Sequence, residues 1–264
     1  MKLYSESSLK QFYSEIYHIL KETDANVIEI WSEISKIPFL NQFNFTTLRN
    51  FLGNFKFVSL RKENYHHYVV INKISFILNT INILQKDIKQ ISEILNYDGF
   101  ESLVQEILSI NNYITTKNYR FSDKSNFKTK TSQKRYEIDI IGVYLKNVLL
   151  IDAKQWKHKD SFSTLDKAAN LQYQRTIALK KNPEIFSQLI QKLLGPKLNL
   201  KKRLPFVLIP MIVSLEDNSI KINNNQIPLV SIYELNSFLQ ELQNNFNYFK
   251  TIQINKINVQ KRIL

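Results

Sequence analysis

The stretch YEIDIIGVYLKNVLLIDAKQW, residues 136–156, constrains the chain more than any other. It reads as two apolar strands joined by a tight polar turn, expected at Lys146-Asn147. Yet Asp139, Asp152 and Lys154 fall inside those strands, where charge is costly unless it is paired. Symmetric pairing about the turn sets Asp139 opposite Lys154 and Asp152 opposite Ile141. Side chains alternate along a strand, and directly opposed residues share a face. Glu137, Asp139, Ile141, Asp152 and Lys154 are therefore expected on one face. Ile138, Ile140, Ile151 and Ala153 are expected on the other, apolar one. A slip of one residue would turn a whole hydrophobic set to the wrong side.

Two carboxylates this close repel, and alone one of them would hold a proton. A divalent cation removes the conflict by taking both as hard oxygen ligands. Mg²⁺ keeps several waters, one of which can serve as a nucleophile. Lys154 beside it can orient that water or stabilise charge building on a phosphate. The other reading is a cross-strand ion pair of Asp139 with Lys154, leaving Asp152 solvated at the strand end.

Charge narrows the partners. The 264 residues carry a net charge of +13. Residues 1–95 hold 11 Lys/Arg against 9 Asp/Glu, and residues 96–264 hold 25 against 14. So basic a chain is expected to meet a polyanion, most often nucleic acid, although positive charge also serves solubility. Cysteine is absent, which excludes disulfides and thiolate zinc sites. Four scattered histidines do not suggest zinc either, so any metal is expected on oxygen ligands. No apolar run reaches the roughly 18 residues of a membrane span, and the N-terminus lacks the pattern of a signal peptide. The expected location is intracellular and cytoplasmic, at the nucleoid if the source is prokaryotic.

Apolar spacing predicts helices over residues 7–22, 25–37 and 46–52, with Gly53 stopping the third. Two extended runs follow, residues 55–60 and 65–71, joined by Arg61-Lys62-Glu63-Asn64. Three helices and a hairpin follow the order of a winged helix-turn-helix, with residues 46–52 as recognition helix. A small packing or dimerisation domain is the equal alternative for residues 1–72. Residues 73–96 read as one connecting helix, and Asn96-Tyr97-Asp98-Gly99 as the boundary of a second domain, residues 97–264. That domain reads as a helix at 100–108, a strand with outward bases, the 136–156 hairpin, a helix at 165–181, strands at 205–215 and 228–232, and a helix at 233–242. The expected class is α/β with a mixed sheet flanked by helices. Residues 117–135 hold seven Lys/Arg and one acid and include a basic loop. A solvated loop and a phosphate-binding loop are both open readings there.

The order Asp139 … Asp152-Ala153-Lys154 resembles the motif of the PD-(D/E)XK, or restriction-endonuclease-like, nucleases. GFESLVQEIL followed by NNYI resembles the opening helix and first strand of the Mrr-like and Holliday-junction-resolvase-like branches. NVLLIDAKQWK, PFVLIPMIVS and IPLVSIYELNSFL resemble the family's catalytic strand, later strand and closing helix. The resemblance covers roughly residues 97–242. It implies a restriction-endonuclease-like fold and a Mg²⁺- or Mn²⁺-dependent nuclease. Asp139 and Asp152 would ligate the metal, with the Ala153 carbonyl added. Glu101, ahead of Glu106, would position the metal or its water, and Lys154 would be catalytic. The chain departs from the pattern at Ile138, where many members have proline. It departs again at Thr176, where some relatives have tyrosine four residues after a glutamine such as Gln172. Gln172 and Arg175 share a polar edge, for which a solvent-facing position is favoured over reach into the site. Lys128, Lys130, Lys134, Arg135, Lys157, Lys159 and Arg175 are the candidates for holding the phosphate backbone.

The expected function is thus an endonuclease, with DNA favoured over RNA because no base-stacking aromatic module is evident. The alternative is a non-catalytic DNA-binding or regulatory protein that keeps the fold. Cutting both strands of a duplex needs two active sites, so a homodimer is expected.

Overall fold

The computed structural model describes residues 4–84, 87–123, 135–155, 162–195, 200–215 and 221–257. The chain forms two compact units, Met1–Phe100 and Glu101–Leu264. Residues 73–96 therefore belong with the first unit.

The first unit opens with α1 (Glu6–Glu22), capped where the Ser5 hydroxyl accepts the Ser8 amide. The second expected helix, residues 25–37, is instead strand β1 (Glu29–Glu33) followed by a short 3₁₀ turn. Its apolar spacing fitted a helix, but Glu-Ile-Trp-Ser-Glu also alternates. Pairing with a neighbouring strand decides for the extended form, burying Ile30 and Ser32. Helix α2 (Phe45–Leu52) is capped by Asn44, whose side chain accepts the Thr47 amide. Strands β2 (Val58–Glu63) and β3 (His66–Asn72) form the hairpin. Its turn is Asn64-Tyr65, so Arg61, Lys62 and Glu63 lie inside β2, not in the turn as expected. Asn64 adopts the left-handed conformation there (φ 52°).

The sheet order is β1-β3-β2, all antiparallel. Helix α1, a 3₁₀ turn at Pro38–Gln42 and α2 accompany this sheet, in which β1 is the third strand. The single helix expected at 73–96 is two, α3 (Lys73–Leu84) and α4 (Ile88–Ser92). The core is aromatic: Phe12 lies 4.9 Å from Phe51 and 5.3 Å from Phe55 between ring centroids, and Tyr13 lies 5.2 Å from Phe57. The buried Lys73 ammonium donates to the carbonyls of Asp24 at 2.8 Å and Ile94 at 3.2 Å, tying three segments together.

The second unit is a mixed six-stranded sheet flanked by helices, the class expected from the sequence. Its elements are α5 (Tyr97–Ile110, beginning in the last residues of the first unit), β4 (Ile114–Ser122), β5 (Arg135–Tyr144), β6 (Asn147–Lys154), α6 (Phe162–Lys181), α7 (Pro183–Leu194), β7 (Phe206–Ser214), β8 (Leu229–Ser231), α8 (Leu235–Glu241) and β9 (Ile252–Ile254). The order is β4-β5-β6-β7-β8, with β9 also on β7. β4, β5 and β6 form an antiparallel meander, while β6–β7 and β7–β8 are parallel. A parallel pair needs a long crossover, which α6 and α7 supply. Helix α7 and strand β9 were not anticipated. Of the described residues, no helix is long and apolar enough to cross a membrane.

Burial pushes the Tyr13 hydroxyl from 10.0 up to about 12. The folded state therefore holds this proton more tightly than the unfolded chain. The resulting stability is complete below pH 10 and is lost as pH rises towards 12. Denaturant titrations of wild type and Tyr13→Phe should differ by a constant amount below pH 10 and change relative to each other between pH 10 and 12, wild type weakening more.

Candidate functional site

The hairpin that carries the motif turns at Leu145-Lys146, one residue earlier than expected, with Leu145 left-handed (φ 54°). The register runs from Tyr144↔Asn147 to Ile140↔Ile151. Ile141 thus faces Leu150, not Asp152, and the expected pairing of Asp139 with Lys154 does not form. The displacement is two residues, an even number, so the faces of β6 are those expected. On β5 the alternation is broken at Asp139. Ile138, expected on the opposite face, packs in the same hydrophobic cluster as Ile141, Val143, Val148 and Leu150. The strand twists between them, opposite Asn118, which is itself left-handed (φ 53°).

The β5–β6 ladder stops where the acids begin. Beyond Ile140↔Ile151 the two strands part, and the Asp139 carboxylate accepts the Ala153 amide at 2.9 Å. Asp139 thereby replaces a ladder hydrogen bond with a side-chain one. It is 9% exposed, and Asp152 only 2%. On its other edge β6 stays paired with β7 through Lys154, and Asp152 lies opposite Ile212 there.

Two cations neutralise Asp152. Lys154 Nζ lies 2.9 Å from Oδ2, and Arg175 Nη1 lies 2.6 Å from Oδ1. Lys154 is two residues along the same strand, so it projects to the same side as Asp152. The lysine expected to face Asp139 instead pairs with its strand neighbour. Arg175 and Gln172, expected to face solvent, reach in from α6. The arginine also donates to Gln172 Oε1 at 3.1 Å. Gln172 is fully buried, and among the described residues its Nε2 has no hydrogen-bond partner. The signal was present in the sequence: Leu165, Ala169, Gln172, Thr176 and Leu179 repeat at helical spacing, and all are buried. Gln172 is therefore a polar residue set in the apolar stripe of α6.

Glu101 is 4% exposed on α5. The direction of α5 follows from its contacts. Lys117, paired with Ile140 on β5, donates to Ser102 Oγ at 2.6 Å. Farther along, Leu108 packs where a Cβ on Gly142 would come within 3.2 Å of it, so glycine permits the close approach. The first turn of α5 in this unit thus lies over the Ile140 end of β5, the end at which Asp139 emerges. Glu101, Val104 and Leu108 share one stripe of the helix, and all are buried. Glu106 is exposed. Of the phosphate-binding candidates, Arg135 is exposed at the start of β5. Arg175 is committed to Asp152. Lys128, Lys130, Lys134, Lys157 and Lys159 lie outside the described residues.

The donors at this end of the sheet suit a hard cation: Asp139, Asp152 and the backbone of Ala153 offer oxygen only. Among the described residues, no three acidic or histidine side chains gather closely enough to hold a metal by themselves. Mg²⁺ commonly takes one or two carboxylates and completes its shell with water and substrate oxygens. A pair of carboxylates therefore fits in kind and number. The need of buried Asp152 for positive charge, met here by Lys154 and Arg175, is the same need a divalent ion would meet.

Asp139→Ala leaves the buried Ala153 amide without an acceptor and should cost about 1–3 kcal/mol in urea denaturation. Asp139→Asn retains an acceptor oxygen and should lose much less.

No protein-family model matches the chain, and no curated protein does. Among solved structures, similarity is found to protein VC1899 from Vibrio cholerae, at 15% identity and a TM-score of 0.30. It covers 92% of this chain and 51% of that one, so the chain spans about half the length of that protein. A likeness this distant supports no statement about function.

Proposed function

We propose that the protein is a metal-dependent endonuclease of the restriction-endonuclease-like type, of the Mrr-like and Holliday-junction-resolvase-like branch, acting on DNA. The observation that carries this reading is the gathering of Asp139, Asp152 and Lys154 where β5 and β6 part. Asp139, Asp152 and the Ala153 carbonyl would hold Mg²⁺ or Mn²⁺. When bound, that ion supplies an activated water and offsets charge on the phosphate. Lys154 donates towards the attacking water and the charge developing on phosphate oxygen. Glu101, over the same end of the sheet, orients water from the α5 side.

The winged-helix unit is suited to gripping the substrate. From Ile34 to Lys62 there is no acidic residue, whereas Lys36, Arg49, Lys56, Arg61 and Lys62 lie there. The acids Glu6, Glu15, Glu22, Asp24, Glu29 and Glu33 all precede this stretch in the sequence. A homodimer would supply the second active site that cutting both strands of a duplex requires.

The second reading is a DNA-binding protein that does not cut. It draws on the pairing of both Asp152 oxygens with cations, which satisfies the carboxylate without a metal. Supercoiled plasmid incubated with protein and Mg²⁺ separates the two. The nuclease reading expects nicked or linear product that Asp152→Ala abolishes. Intact plasmid, linear duplex, single strands and junctions under both Mg²⁺ and Mn²⁺ would leave the binding reading in possession.

Both readings expect phosphate contacts. Log affinity for DNA should fall steeply and linearly with log salt, as counterion release requires. A flat response in fluorescence anisotropy would remove DNA as the partner.

A further inference from the structure

We propose that Arg175 is a tethered counter-cation of Asp152, which a divalent ion must displace to bind. The inference rests on the metal-dependent reading of the site and adds to it a device that controls metal entry.

The geometry is that of a clamp. The guanidinium reaches Asp152 Oδ1 at 2.6 Å, and its Nη1 is braced by Gln172 Oε1 at 3.1 Å. Gln172 and Arg175 are three residues apart on α6, so they lie on one face of the helix. Lys154 takes the other oxygen of Asp152 at 2.9 Å. Both oxygens that a metal would use are thus already held by positive charge.

The two cations differ in how they can be removed. A lysine swings on a flexible stem, and its role at the nucleophile requires it to leave the carboxylate. A guanidinium stays protonated at any ordinary pH, so only a competing cation or anion can part it from Asp152. The Arg175 side chain is 15% exposed, enclosed enough for the pair to resist screening by salt. The clamp also carries a cost: with Oε1 turned to Arg175, the fully buried Gln172 Nε2 has no partner among the described residues. Packing alone does not call for that arrangement, and loss of the arginine contact would free the amide to reorient.

Displacement of Arg175 by a metal leaves a guanidinium seeking an anion, and a phosphate oxygen is the anion that this site would receive. Metal and phosphate therefore favour each other's binding. Metal affinity should be low in the free protein and higher with the nucleic acid present, by the reciprocity of linked equilibria.

Titration calorimetry with Mn²⁺ on the full chain tests the clamp. Arg175→Met should bind Mn²⁺ roughly tenfold tighter than wild type, the size of an ordinary coupling between contacting groups. Binding by the variant alone, with none measurable for wild type, would also support the proposal. Equal or weaker affinity in the variant, with wild type binding Mn²⁺ and Asp152→Asn losing it, overturns the clamp and leaves the metal site standing. No Mn²⁺ binding by either protein overturns the clamp and the metal-dependent reading together. Thermal melts give a second measurement, because the variant should gain more in Tm from Mn²⁺ than wild type does; an equal gain counts against the clamp. Where Arg175→Met does not fold, Arg175→Lys replaces it. Arg175 Nη1 alone makes both contacts, to Asp152 and to Gln172, and the shorter lysine draws its nitrogen back from them, so this variant too should bind Mn²⁺ more tightly than wild type. Unchanged affinity would overturn the proposal.

Discussion

A carboxylate taken out of water organises the second unit. Asp152 sits on β6 just past the end of its ladder with β5, still paired with β7, and is almost wholly buried. Left alone, such a charge would destabilise its surroundings. Lys154 on its own strand and Arg175 from α6 prevent that. Because the second partner comes from a helix, the pair also fixes where α6 lies along β6. Removing one partner from a buried pair generally costs about 3–5 kcal/mol, more than the pair contributes over an apolar substitute. The arrangement is therefore an expensive way to stabilise a sheet.

The same economy governs the neighbouring acid. Asp139 stands where the β5–β6 ladder ends, and it satisfies the Ala153 amide that the ladder abandons. Opening two strands normally leaves unpaired amides. Here the side chain that opens the ladder also closes its end, which keeps the carboxylate beside Asp152 without requiring the strands to stay together. Across the sheet, Gly142 admits α5 closely enough for its first turn to reach the same end. A strand end, a neighbouring strand and two helices thus converge on one short region.

The motif was legible in the sequence because it depends on parity, not on exact register. Placing the turn at Lys146-Asn147 misaligned the strands by two residues, yet left Asp152 and Lys154 on a common face. The partners of Asp152 were less legible. Arg175 is 23 residues away, and hydrophobic spacing places Gln172 in a buried stripe without saying what it touches. Helix 25–37 was misread because Ile-Trp-Ser satisfies both periodicities until β3 is present to pair with it. The first unit thereby gains a third strand beside the expected hairpin. Helix α7 carried ordinary signals, Pro183 at its start and Ile185, Phe186, Leu189, Ile190 and Leu193 along one side.

The parallel crossover has a consequence for how the protein acquires its form. β5 and β6 are joined by two residues and can pair early, whereas Arg175 arrives only when α6 folds back over the sheet. Until then the young hairpin carries a pair of acids and a single lysine, and remains open to water. Sealing the carboxylate and docking the helix are one event, so a chain with an incomplete centre is also a chain with a loose α6.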